Sequence, residues 1–210
     1  MIVPDPPERF LVEFLPSFVA ELGAAPEPAS PRDEGRRARR SPSGAGIAVR
    51  VVGVGEWTLR LSDRKLLVAS GVAEDVALQL SLRGEDFTPL IVAPVRRALE
   101  TAPDSARALA ARSFWTRLGR FDDETVDLLR RQDGRILVRI DDAGTSRNVA
   151  LTPGVQQYSL DTAECCIDCE LSALHEVQAK RQNPLDLFYE GRIRITGDAQ
   201  IALAMAGLFL

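Results

Sequence analysis

The run Asn183-Pro184-Leu185-Asp186-Leu187-Phe188-Tyr189-Glu190-Gly191-Arg192-Ile193-Arg194-Ile195-Thr196-Gly197-Asp198 decides the architecture. Asn183 is an N-cap residue, and Pro184 suits the first helical position because proline presets φ and gives up an N–H that has no intrahelical partner there. Gly191 fits the left-handed position that ends a helix, so Leu185 to Glu190 make barely two turns. Arg192 to Thr196 alternates as a strand does, with Ile193 and Ile195 on one face and two guanidiniums on the other. Gly197-Asp198 turns the chain, and Asp198 can cap a final helix. From Ile201 through Phe209 that helix is apolar nearly all round, so protein or ligand must enclose it.

Upstream lies a run of four strands: Arg135 to Ile140, Asn148 to Leu151, a weaker Gln157-Tyr158-Ser159, and Cys165 to Cys169. Before it come three helical segments. One spans Glu85 to about Leu99 with an interruption at Pro94, one spans Ser105 to Leu118, and one spans Asp123 to Arg131; helix-start residues precede the last two. Earlier still, Ile47 to Val52, Trp57 to Leu61, Lys65 to Val68 and Asp75 to Leu80 alternate or are β-branched, with turn residues at Ser62-Asp63 and Ser70-Gly71. Four closely spaced strands predict an antiparallel meander. Ala73-Glu74 ahead of the fourth strand matches Ala163-Glu164, and Leu80-Ser81 matches Leu171-Ser172, in the same strand order. An internal duplication into two related α+β units follows.

At the amino terminus, Phe10, Leu11, Phe14, Leu15, Phe18, Val19 and Leu22 recur at the helical period, with Glu8, Arg9, Glu13 and Glu21 between them. Pro16 should bend or restart this helix. A stripe of this kind packs on its own domain or a partner; the missing basic face argues against a membrane surface. Residues 23–46 carry Pro26, Pro28, Pro31, Pro42 and the cluster Arg32, Arg36, Arg37, Arg39 and Arg40, with almost nothing to bury, which predicts a disordered linker. Ser41 to Gly46 lacks the Lys and Ser or Thr of a phosphate loop.

The composition excludes several function classes. With 210 residues, 45% hydrophobic and 27% charged at a net charge of −4, the chain can bury a sizeable core. No apolar run reaches the roughly 20 residues that cross a bilayer, and Met1-Ile2-Val3-Pro4-Asp5 has no basic or apolar leader region. All but two of the 26 basic residues, Lys65 and Lys180, are Arg, yet 30 acids outnumber them, so nucleic acid is not an implied partner. The three cysteines, Cys165, Cys166 and Cys169, cannot form a disulfide framework, and a cytoplasmic location is expected. On a strand, Cys165 and Cys169 share a face about 13 Å apart while Cys166 points away, which speaks against one metal ion and for buried structural thiols. His175, the only histidine, stands in what reads as a packed segment. Asp122, Asp123 and Glu124 read as helix-starting charge rather than paired catalytic carboxylates. Trp57 and Trp115 read as core anchors, with a tunnel wall as the alternative. No nucleophile, base and orienting group come together, so no enzyme, metal or cofactor is expected.

The stretch from Asn183 to Asp198, continued to Ala202-Leu203-Ala204-Met205, resembles the closing motif of the sterol carrier protein 2 family. The upstream strands, Glu56-Trp57-Thr58-Leu59, the Ala-acid dipeptide and Glu85-Asp86-Phe87 are similar to that family's order. Residues 135–210 cover one complete unit of the pattern and 47–100 a partial one, whose Pro-helix-Gly-strand-Gly-Asp closure is replaced by Ala106 to Leu129. The resemblance implies an α+β fold of two tandem sterol-carrier-like units, each a mainly antiparallel sheet covered by helices. The units fall at 47–132 (degenerate) and 133–210 (complete), after a helix at 1–22 and a linker at 23–46. It implies a non-enzymatic carrier holding a sterol, fatty acyl chain or other lipid in an apolar tunnel. Phe188, Tyr189, Ile193, Ile195, Leu203, Met205, Leu208 and Phe209 would line that tunnel, though each suits an ordinary core equally well. A cavity of at least about 300 Å³ is expected beside Phe188 and the final helix. The alternative is a scaffold or accessory protein that keeps the fold with its tunnel filled, as in the bacterial relatives that serve lipid-quinone biosynthesis. Residues 8–22 would then offer a partner protein or membrane surface its contact.

Overall fold

The computed structural model describes residues 2–23, 45–62, 65–101, 123–178 and 181–202. Residues 24–44 of the expected linker, the helix at 105–118 with Trp115, Asp122, and the four lining candidates from Leu203 to Phe209 lie outside them; Gly23 closes α1, and Gly46 O accepts from Ala77 N. The first element is helical from Arg9 to Gly23: a π-helical turn, Arg9–Phe14, runs into α1, Leu15–Gly23. Next come β1 (Ile47–Val52), β2 (Gly55–Ser62), β3 (Lys65–Ser70) and β4 (Leu78–Arg83). Then follow α2 (Gly84–Phe87), a second π-helical segment (Thr88–Val92), α3 (Ala93–Thr101) and α4 (Asp123–Arg130). The chain continues through β5 (Ile136–Asp142), β6 (Thr145–Pro153), β7 (Cys165–Glu170), α5 (Leu171–Gln178), α6 (Pro184–Tyr189) and β8 (Ile193–Gly197), and is helical again at 199–202.

Neither Pro16 nor Pro94 breaks its helix. A proline removes the donor to the carbonyl four residues back and crowds that carbonyl. In both helices the turn ahead of the ring widens instead: Leu15 N–H reaches Phe10 O and Ala93 N–H reaches Thr88 O, five residues back. The expected interruption at Pro94 is therefore a π-helical widening inside one continuous helical run.

The eight strands of the described residues share one mixed sheet in the order β3-β2-β1-β4-β6-β5-β7-β8. The expected meander is wrong at its fourth strand. β4 crosses over to lie parallel to β1, Ile47 beside Leu78, and β7 lies parallel to β5, Ile136 beside Cys165; the other pairings are antiparallel. Thr58 holds the start of the first crossover, donating to Gly71 O at 2.7 Å and accepting from Ala73 N at 2.9 Å. The proposed match of Leu80-Ser81 to Leu171-Ser172 also fails, because the first pair lies within β4 and the second opens α5. Gln157 to Ser159 is not a strand. The 154–164 loop lies over the sheet, held by Gln79 Nε2 to Gly154 O and Gln156 O, by Asn148 Nδ2 to Leu160 O, and by Arg50 stacked 4.3 Å over the Tyr158 ring.

One face of the sheet is apolar and carries the helices. Ile47, Val49 and Val51, Leu78, Leu80 and Leu82, Ile136, Leu151 and Cys165 share a buried cluster with Phe10, Leu11, Phe14, Leu15, Phe18 and Val19. Trp57 and Phe87 belong to it as well. The amino-terminal apolar stripe is thus covered by the chain's own sheet, and the expected contact with a partner or membrane through 8–22 cannot use that face. The opposite face is more polar and carries a small buried cluster of Leu137, Ala150 and Leu160, with Val52 and Leu67 exposed on it.

Candidate functional site

The carboxy-terminal motif folds as its residues require. Asn183 Oδ1 accepts from Leu185 N at 2.9 Å, Pro184 opens α6, and Gly191 takes φ +74°. Asp198 Oδ1 accepts from Gln200 N at 2.9 Å and caps the helical turn at 199–202. Only glycine fits at 197: φ is +83°, and a Cβ there would stand 2.2 Å from Glu164 O. That close approach lets Asp198 N–H bond Glu164 O at 2.8 Å, tying β8 to the entry of β7. The Glu164 carboxylate meanwhile grips Arg135 at the start of β5, its side chain at 2.8 Å and its backbone N–H at 2.8 Å. Those bonds, the guanidinium first, hold its carboxyl down at about 2.

The predicted lining residues separate into groups. Ile193 and Ile195 project from the helix-covered face of β8, both half-buried, with Ile195 packed against the main core cluster. Val138, Val149 and Ile167 are half-buried on the same face, so a partly covered apolar strip runs across β5–β8. Leu187 of α6 is fully buried. Phe188 is 42% exposed and Tyr189 82% exposed, their rings edge to face at 5.8 Å on the outside of α6. The structure therefore brings Ile193 and Ile195 together and Phe188 and Tyr189 together, as two separate pairs. The cavity expected beside Phe188 would take its remaining walls from residues 203–210, outside the described ones.

Polar chemistry gathers at two places. Where the helices end over the sheet, Arg147 of β6 bridges Asp86 of α2 at 3.1 Å and Asp142 of β5 at 3.0 Å. Burial pushes this guanidinium down, and the two carboxylates more than reverse it. Burial first, and then the charge of Arg97, depress the imidazole of His175 on α5 below the usual range, with Asp142 opposing them. On the opposite face a charged groove of about 440 Å³ is lined by Arg139, Asp141, Asp168, Glu170, Arg192 and Arg194 among others. Arg139 is bound to Asp168 at 3.1 Å, and Arg192 to Glu176 at 2.7 Å.

The cysteines divide as strand parity predicts. Cys165 lies in the main cluster and Cys166 packs on Leu137 at the other face. The Cys169 thiol is pushed up to about 11, by burial and then by Asp168. Among the described residues no group of three His, Cys, Asp or Glu side chains is placed to hold a metal, and no helix is long and apolar enough to cross a membrane. The Asp86–Arg147–Asp142 bridge was not foreseen. No local pattern announces it, since Asp86 and Arg147 are 61 positions apart.

Residues 116–210 match the SCP-2 sterol transfer family. Among solved structures the chain is similar to sterol carrier protein 2 like 2 from Aedes aegypti, at 18% identity over 54% of this chain and 97% of that one, with a TM-score of 0.33. It is similar to the sterol carrier protein domain 2 of Helicoverpa armigera at 15% identity over 41% and 74%, TM-score 0.34. It is also similar to a UbiJ-SCP2 ubiquinone synthesis protein at 12% identity over 97% and 92%, TM-score 0.26. No curated protein matches at a significant level.

Proposed function

We propose that this chain, whose residues 116–210 match the SCP-2 sterol transfer family, is a non-enzymatic cytoplasmic carrier that holds one hydrophobic molecule between β5–β8 and the helices over them. The observation that carries the reading is the half-buried apolar strip of Val138, Val149, Ile167 and Ile195 on the helix-covered face. Such a strip gains by further covering, and an apolar ligand supplies it. Burial of about 400 Å² of ligand surface would contribute on the order of 10 kcal/mol before association costs, enough for micromolar affinity without a charged contact. In this reading Ile193 and Ile195 form the floor, Phe188 and Tyr189 flank the mouth, and Leu203, Met205, Leu208 and Phe209 supply the far wall.

Residues 47–132 are on this account a second, degenerate unit of the same ancestry. Its support is the shared pairing scheme: β1 takes β2 antiparallel and β4 parallel, as β5 takes β6 antiparallel and β7 parallel. The two schemes join where β4 pairs with β6, the flank of β6 that corresponds to the one β3 occupies beside β2.

The test is mass identification of small hydrophobic molecules extracted from gently purified protein, with displacement of a bound fluorescent lipid analogue. A retained lipid and saturable displacement are expected. Protein that carries no lipid and binds no analogue would replace the carrier with the scaffold reading.

A further inference from the structure

β8 is an edge of the sheet: it pairs with β7 on one flank, and no strand of the described residues takes the other. An edge strand holds a row of backbone N–H and C=O groups outward, which native folds ordinarily blunt with a proline, a bulge or charge. Neither proline nor bulge interrupts Ile193–Gly197, and its charge lies on one face only. Arg194 and Thr196, with Arg192 just ahead of the strand, share the polar face; Ile193 and Ile195 take the helix-covered one.

Along the groove the charge alternates strand by strand. β7 presents Asp168 and Glu170; β8 answers with Arg194, in register with Asp168, and Arg192 two residues before it. Asp168 is already bound by Arg139 of β5 at 3.1 Å, and Arg192 by Glu176 of α5 at 2.7 Å. Arg194 is exposed and makes no hydrogen bond or ion pair among the described residues.

We propose that the free flank of β8 is a docking edge for an extended segment of a partner protein in which Asp or Glu alternates with Val, Ile or Leu. The segment adds a further strand. Its backbone takes up the outward N–H and C=O groups, its carboxylates face Arg194 and Arg192, and its apolar residues continue the surface of Ile193 and Ile195. Two strand spacings, about 9.6 Å, separate the incoming carboxylates from Asp168 and Glu170, with the arginines between them. A second copy of this chain fits poorly. Antiparallel β8 against β8 sets Arg opposite Arg in its central registers, and like charges directly opposite are destabilising. The other edge, β3, bears one charge, Lys65, and so carries no such charge pattern. The docking edge does not depend on what the apolar strip holds.

The test uses full-length protein and the fluorescein-labelled peptide Ser-Glu-Val-Glu-Val-Glu-Val-Ser. Saturable binding by anisotropy is expected, with amide hydrogen exchange in Ile193–Gly197 slowed about tenfold and exchange in β3 unchanged. N–H groups of alternate residues point to the same flank of a strand. Methylating the Glu nitrogens and methylating the Val nitrogens should therefore differ, one form losing binding and the other keeping it. Arg194→Glu is expected to weaken the peptide about tenfold and to strengthen the version with Lys for Glu, with the thermal transition unmoved. No saturable binding, equal affinity for the Glu and Lys peptides, equal loss in both methylated forms, or protection confined to β3 overturns the docking edge. Concentration-dependent self-association that slows the same β8 amides without peptide assigns the edge to a second copy and overturns it too. If Arg194→Glu does not fold, the two methylated peptides on the wild-type protein decide.

Discussion

The two halves of the sheet use the same pairing scheme and cover it differently. Over β1–β4 the helix-covered face is closed by side chains from the amino-terminal helix, whose Phe10, Phe14 and Phe18 stack in sequence with centroids 5.2 and 5.4 Å apart. Ile47, Val49, Leu59, Leu78 and Leu82 beneath them are fully buried or nearly so. Over β5–β8, Val138, Val149, Ile167, Ile193 and Ile195 are only half-buried. The lesson is that one strand scheme serves as a solid core or as the floor of a binding site, depending on what is laid over it. The family match falls on the second half.

The largest expected effect tests the closed half. Deleting residues 2–23 removes seven buried apolar side chains, Val3 among them, each worth about 3 kcal/mol, against a total stability of about 5–15 kcal/mol. Loss of the cooperative thermal transition in circular dichroism is expected; an unchanged midpoint would show that the first half does not need its helix. At the seam, Arg147→Met leaves the Asp86 carboxylate buried without its cation and should cost about 3 kcal/mol in urea denaturation, with Asp86→Leu added to it restoring part. The contrast between halves is sharpened by a matched pair: Leu59→Ala is expected to cost about 3 kcal/mol and Ile195→Ala about 1. Equal losses would mean that β8 belongs to a core as tight as that of β2.

Two smaller effects concern the tie between β7 and β8. Gly197→Ala, forced into positive φ against Glu164 O, should lower stability by about 2 kcal/mol and leave the first half's aromatic circular dichroism intact. The Glu164 carboxyl is lower in the folded chain than the ordinary 4.5, near 2, chiefly through Arg135. Its stabilisation is therefore present above about 4.5 and lost as the pH falls through about 2. Because the side chain is 45% exposed, less than about 1 kcal/mol is expected. Glu164→Gln should remove that part of the acid slope; an unaltered slope in urea melts from pH 5 to 2 would assign it to other carboxylates.

Short-range features were the legible ones. Asn183, Pro184, Gly191, Gly197 and Asp198 act within a few residues of themselves, and each does what its chemistry requires. The alternation in β8 was read correctly for the same reason, as were the opposed faces of Cys165 and Cys166. What failed involved a choice between distant partners. β4 reads alike beside β3 or beside β1, since either pairing buries Leu78, Leu80 and Leu82. Gln157 to Ser159 has strand-like residues, yet the flank of β6 it would have used is taken by β4, and the segment lies over the sheet instead. Pro16 was expected to bend or restart its helix and Pro94 to interrupt its own, but packing of the apolar stripes on both sides holds each helix together across a π-helical turn. His175 was seen as a packed residue, and that its buried Nε2 lacks a hydrogen-bond partner among the described residues was not legible from neighbours in sequence.

Local chemistry alone determined most of the elements, their caps and turns, and which side chains share a face, because those depend on steric and hydrogen-bonding preferences spanning a turn or two. Strand order, the parallel crossovers, the Asp86–Arg147–Asp142 bridge and the unequal covering of the two halves were decided only in the tertiary structure. Each is a competition among distant segments for the same edge, charge or apolar surface, and its outcome is settled when all of them pack at once.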